Sequence, residues 1–184
     1  MAKKVLVPIA DGTEEIEAAC IIDTLRRAGA DVTVASVDKL QVTASRGVKL
    51  VADARIADCA SQTYDCIALP GGMPGAEHLR DSAELVAMLK KQKAGGRLYG
   101  AICASPAVAL LPHGLLDGVK ATCYPAMRNR LNPAYASDER VIADGKCVTS
   151  QGPATAIEFA LKLVELLFGP QEAKDVAGPM LVKA

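Results

Sequence analysis

Short runs of consecutive apolar residues alternate along this chain with longer stretches in which apolar positions recur every three or four residues. The runs KVLVPIA (4–10), DVTVASV (31–37), DCIALPGG (65–72) and RLYGAIC (97–103) read as strands. Apolar residues at every position of a strand imply burial on both faces, as in a parallel sheet covered by helices. Between them, 11–30 carries Ala18, Ile21, Ile22, Leu25 and Ala28 at helical spacing, with Gly29 as a C-terminal stop. Helices are also predicted over 76–96, with a charged outer face and a Gly-Gly stop, over 105–111, and over 154–168, the most periodic stretch, which ends at Gly169-Pro170. Residues 40–54 read as two short strands about the turn at 45–47, and 140–150 as a hairpin about Asp144-Gly145. Strands alternating with helices over one domain's length predict an α/β sandwich with a mainly parallel sheet, a single domain over 1–184, with the hairpins as decorations.

Composition narrows what such a domain does. Lys and Arg number 21, as do Asp and Glu, so no net field attracts nucleic acid or an acidic membrane surface. Aromatic residues are 3% with no Trp, too few for a base-stacking platform. No apolar run reaches the roughly 18 residues of a membrane span. The stretch MAKKVLVPIADG turns polar at once, which reads as a first strand and not a secretory leader, so a cytoplasmic location is expected. The six cysteines (20, 59, 66, 103, 123, 147) form no C-x-x-C, and the two histidines have no zinc-like spacing, so no metal site is expected. Most of these thiols read as small buried hydrophobes.

Cys103 is different. It falls where a predicted strand meets a helix whose first turn holds Pro106, with small neighbours Ala101 and Ser105 two positions away. A nucleophile on such an elbow needs small residues at those positions, and the N–H groups of the next helix favour a thiolate. Thiols so placed can titrate at roughly 3.5–7.5. The turn LPGGMPG (69–75) ends another strand at the same sheet edge, so the N–H of Gly72 can join that of Ala104 to hold an oxyanion. A proton acceptor is also needed. His78 and His113 are poorly placed for it, which leaves the acidic cluster DGTEEIE after the first strand. Glu17 lies at the edge of its helix's apolar stripe, where partial burial would raise its pKa. Helical geometry alone does not choose between Glu17 and Glu14.

Together ADGTEEIEA, LPGG, GAICASPA and SQGPATAIEFAL stand in the order and spacing of the ThiJ/PfpI superfamily. The chain resembles the branch of the parkinsonism-associated protein deglycase and the bacterial YajL, almost end to end. The resemblance implies a flavodoxin-like three-layer α/β/α sandwich with a nucleophile-elbow cysteine, usually a homodimer. It maps the elbow cysteine onto Cys103, its paired glutamate onto Glu17, and the backbone donors onto Gly72 and Ala104. It also places Arg46, from ASRG, near the site as an anion-binding group. Where several relatives carry a histidine near the elbow, in the segment matching ATCYPAM, this chain has Tyr124. Without a Cys-His pair, peptidase and amidotransferase chemistry is not expected.

Two functions follow from the resemblance. One is a cofactor-free enzyme acting on α-oxoaldehydes such as methylglyoxal, or on glycated protein and nucleotide adducts, through Cys103 and Glu17. The other is an oxidative-stress sensor or redox-regulated chaperone in which Cys103 is oxidised to a sulfinate. Neither Cys20 nor Cys123 is assigned a role by sequence.

Overall fold

The strands form where the apolar runs lie, and side-chain alternation decides which layer each residue enters. The computed structural model describes residues 2–182, so Met1, Lys183 and Ala184 of the expected 1–184 domain lie outside the described residues. Four strands, β1 (Lys4–Ile9), β2 (Asp31–Ser36), β6 (Cys66–Leu69) and β7 (Leu98–Ile102), make the parallel centre. Val5, Val7, Cys66, Ala68 and Ile102 face one apolar layer, while Leu6, Ile67, Leu69, Tyr99 and Ala101 face the other. The first layer is covered by α1 (Glu15–Arg27), α5 (Ala156–Phe168) and α6 (Pro170–Ala177). The second is covered by α3 (Gly75–Asp81), α4 (Ala83–Ala94) and the segment 106–116. This is the three-layer α/β/α, flavodoxin-like arrangement.

The hairpin predicted at 140–150 is more than a decoration. Its strands β8 (Val141–Asp144) and β9 (Cys147–Ser150) pair antiparallel, and β9 also pairs parallel with β7, extending the main sheet. With β5 (Ala54–Arg55) at the far edge, the sheet order is β5-β2-β1-β6-β7-β9-β8. The other hairpin, β3 (Gln41–Thr43) with β4 (Lys49–Val51), forms a separate two-stranded sheet as predicted. Gly100 lets the Phe159 ring of α5 settle on β7. A Cβ there would lie 3.1 Å from the ring and 2.7 Å from Val148 O.

Two helix expectations are corrected, and the end of a third is refined. The predicted helix 76–96 is two helices, because Ser82 turns extended and caps α4 by accepting from Leu85 N. The segment 105–111 is a π-helical turn, Pro106–Leu110, and then a 3₁₀ turn, Leu111–His113. Pro112 cannot donate to a continuing helix, and Gly114 ends the segment in the left-handed conformation. Pro170 stops α5 but starts α6, since a proline suits the first helical position. The short helix α2 (Ile56–Cys59) and the 3₁₀ segment Pro125–Arg130 have no counterpart among the predicted elements.

The chain runs outward from β1 to β2 on one side and returns to β6 on the other. The strand order therefore reverses between β1 and β6, and ligands of such sheets bind beyond the strand ends at that crevice. The loops after β1, β6 and β7 all converge there.

Candidate active site

The backbone of Cys103 is held in the left-handed region at φ 64°. A non-glycine residue pays about 1–3 kcal/mol for that, so the surroundings must hold it. They do so from both sides. Cys103 N–H donates to Ser150 O at 3.0 Å, and Tyr124 N–H donates to Cys103 O at 2.8 Å. The elbow is thus pinned by β9, a strand that the sequence marks only as half of a hairpin. The thiol is half-buried, and beside it Ala76, Ala104, Val108 and Met127 form a small apolar cluster.

Glu17 lies in the first turn of α1 and is fully buried. Its Oε2 accepts from Gly71 N at 2.7 Å, while its buried Oε1 has no hydrogen-bond partner. The Cys103 thiol is this carboxyl's other close polar neighbour, and each shifts the other's pKa. Geometry therefore chooses between Glu14 and Glu17 where helical spacing does not. Glu14 Oε2 accepts from Ser45 Oγ at 2.7 Å, away from the thiol. Gly71, absent from the residues expected at the site, is where the two groups meet. A Cβ there would lie 2.6 Å from Cys103 Cβ and 2.9 Å from Glu17 Oε2. Its signal is the Pro-Gly-Gly at the end of an apolar strand.

Gly72, at φ 89°, packs so closely on the β1 loop that a Cβ would lie 2.4 Å from Glu14 N. Its N–H and that of Ala104 are the backbone donors that pull the Cys103 thiol down. The two backbone donors expected for an oxyanion thus converge on the nucleophile itself.

The expected acidic thiol needs correcting. Burial, then the charge and hydrogen bond of Glu17, push the Cys103 thiol up to about 12, against the two N–H donors that pull it down. The helix end is too weak to reverse this, because the elbow leads into a five-residue π turn and not a long α-helix. Burial raises Glu17 to about 7, with a further push from Glu14, against the Gly71 and Cys103 hydrogen bonds. The pair therefore gives up its first proton near neutrality and its second only in strong base. Readiness to lose a proton at neutral pH belongs to the dyad and not to the thiol alone.

Among the remaining predicted residues, Tyr124 is tied to the elbow by its backbone, with its ring 45% exposed beside Gly152. Arg46 sits exposed on the turn between β3 and β4, where its N–H donates to the Glu15 carboxylate. Its guanidinium forms no ion pair among the described residues and is not brought onto the dyad. His78 Nδ1 and His113 Nε2 each lie 2.9 Å from a backbone carbonyl of another element, Asp11 O and Arg80 O. Cys123 is fully buried and pushed up to about 11 by burial, and the thiol of half-buried Cys20 is raised by burial and by Asp23 and Glu17. Among the described residues no three His, Cys, Asp or Glu side chains are grouped to hold a metal, and no helix is long and apolar enough to cross a membrane.

The profile of the DJ-1/PfpI family matches residues 3–166. Protein DJ-1 homolog B of Arabidopsis thaliana is 50% identical over 183 residues, covering 98% of this chain but 42% of its own length. The chain thus spans less than half of that relative. The glutathione-independent glyoxalase DJR-1.2 of Caenorhabditis elegans is 37% identical over 96% of this chain and 94% of its own. The structure of oxidized Toxoplasma gondii DJ-1 superposes with a TM-score of 0.98 at 56% identity, each chain covered completely. With a profile spanning most of its length and relatives this similar from end to end, the chain belongs to the DJ-1/PfpI family.

Proposed function

We propose that the protein is an enzyme that converts α-oxoaldehydes to α-hydroxy acids without an added cofactor. One observation carries this reading: a buried carboxyl, raised by burial to about 7, lies against a half-buried thiol on a strained elbow. A general acid–base works best when its pKa lies near the operating pH. The C. elegans relative named a glutathione-independent glyoxalase supports the same class.

With methylglyoxal, Cys103 Sγ bonds to the aldehyde carbon, and the carbonyl electron pair moves onto oxygen. The proton the dyad holds goes to that oxygen, giving a hemithioacetal. Glu17, now a carboxylate, removes the hydrogen of the same carbon, and the electron pair shifts to the neighbouring ketone, whose oxygen takes up the proton of the first carbon's hydroxyl. Returning the proton to the second carbon leaves a lactoyl thioester, which water cleaves to lactate and free thiol. The aldehyde carbon is oxidised and the ketone carbon reduced, so no outside electron carrier is required. Gly72 and Ala104 N–H groups stabilise the thiolate that attacks and leaves. The same addition extends to early methylglyoxal adducts on proteins and nucleotides. In this reading the protein works as a cytoplasmic homodimer.

The test is methylglyoxal turnover without glutathione, with D- and L-lactate assayed. Wild type is expected to turn over many times, Cys103→Ala not at all, and Glu17→Gln about 10²–10⁴-fold more slowly. A single stoichiometric adduct in wild type would defeat the proposal.

A second reading has its own support, since the Toxoplasma relative of known structure is in an oxidized form. Two equivalents of peroxide would take Cys103 through sulfenate to sulfinate, releasing two waters. The two N–H donors and a protonated Glu17 would then hold its oxygens, the chemistry of a stress sensor or a redox-regulated chaperone.

A further inference from the structure

Ser105 stands one residue beyond a backbone donor of the site, and its side chain is fully buried. A serine at the start of a helical turn ordinarily caps that turn by accepting one of its free N–H groups. Ser105 does not; its Oγ instead donates across to Pro70 O at 2.6 Å. The β6–β7 ladder ends at Leu69, so the Pro70 carbonyl lies beyond its last pair. The next two residues of the loop supply Gly71 N, which holds Glu17, and Gly72 N, which meets the sulfur. Ser105 thus joins the loop carrying one sulfur-facing donor to the turn carrying the other.

We propose that Ser105 is a positioning residue, whose hydroxyl clamps the Pro70–Gly72 loop to the elbow and so sets the spacing of the two N–H donors on Cys103. The clamp rests on Cys103 being the reactive group and does not depend on which substrate it attacks. A free Pro70 carbonyl lets the loop relax, which lengthens the Gly72 bond to sulfur and slackens the Gly71 hold on Glu17.

The experiment is the pH dependence of Cys103 alkylation by iodoacetamide, located by mass spectrometry, in wild type, Ser105→Ala and Ser105→Thr. Ser105→Ala removes one oxygen and adds nothing to a buried space, so the fold tolerates it, and thermal melting verifies this. Its midpoint is expected to rise by about one pH unit, a tenfold loss of reactive form at fixed pH. Gly72 amide exchange should quicken in step, while Ser105→Thr, which keeps the hydroxyl, should stay near wild type. Equal midpoints in wild type and Ser105→Ala, or equal shifts in the Ala and Thr variants, would overturn the clamp. Alkylation requires no turnover, so a clamp-dependent midpoint in a protein inactive on methylglyoxal would defeat the enzyme proposal alone.

Discussion

A single carboxyl shows how far burial alone determines chemistry here. Glu17 ordinarily would titrate near 4.5 and in the fold does so at about 7. Between those values the folded state keeps a proton that the unfolded chain releases, so stability falls as pH rises across that window. The full effect, present above 7, is about 3 kcal/mol. Urea unfolding at pH 5 and pH 8 should show wild type losing more stability on that rise than Glu17→Gln does, by roughly this amount. Gly71→Ala makes a complementary test. Its Cβ would lie within 2.6 Å of Cys103 Cβ, so alkylation of Cys103 and methylglyoxal turnover should each fall by about 10²-fold or more. The residues of this site are legible in the sequence to an uneven degree. The elbow can be read from Ala101, Cys103 and Ser105, because the constraint on its neighbours is local. The choice of Glu17 over Glu14 cannot, since it depends on Ser45 drawing Glu14 aside and on Gly71 reaching in from another strand.

At the scale of elements, the apolar runs predict the strands well because burial on both faces leaves an unbroken pattern. Helix ends are less legible. The break at Ser82 and the stop at Pro112 arise from capping and a missing donor, which an apolar periodicity does not register. The role of β9 is hidden for a different reason. An Asp-Gly turn marks a hairpin but not which of its strands the main sheet will recruit. That recruitment matters, because Ser150 at the end of β9 holds the Cys103 backbone. Phe159 of α5 closes this region from the apolar side, packed where Gly100 leaves room on β7. Phe159→Ala should therefore cost about 3–5 kcal/mol in chemical denaturation and loosen the strand pair β7–β9.

Over the whole molecule, a parallel sheet whose order reverses between β1 and β6 gathers three loops at one edge. Each loop contributes one thing: the β1 loop leads to Glu17, the β6 loop brings two N–H donors, and the β7 turn exposes the thiol. The layered architecture is legible from periodicity. The shared titration is not, because an elbow cysteine read alone is acidified by its helix, whereas in the fold it is buried against a carboxyl. The central claim is that Cys103 and Glu17 titrate as one unit. Its most direct test is the rate of Cys103 alkylation by iodoacetamide from pH 5 to pH 10 in wild type and in Glu17→Gln. The claim predicts a first rise with a midpoint at about 7 in wild type, as Glu17 becomes the carboxylate that can take the thiol proton, and the loss of that step in the variant, whose thiol is held up by burial alone. A wild-type midpoint at the ordinary thiol value of about 8.5, unmoved by Glu17→Gln, would contradict it.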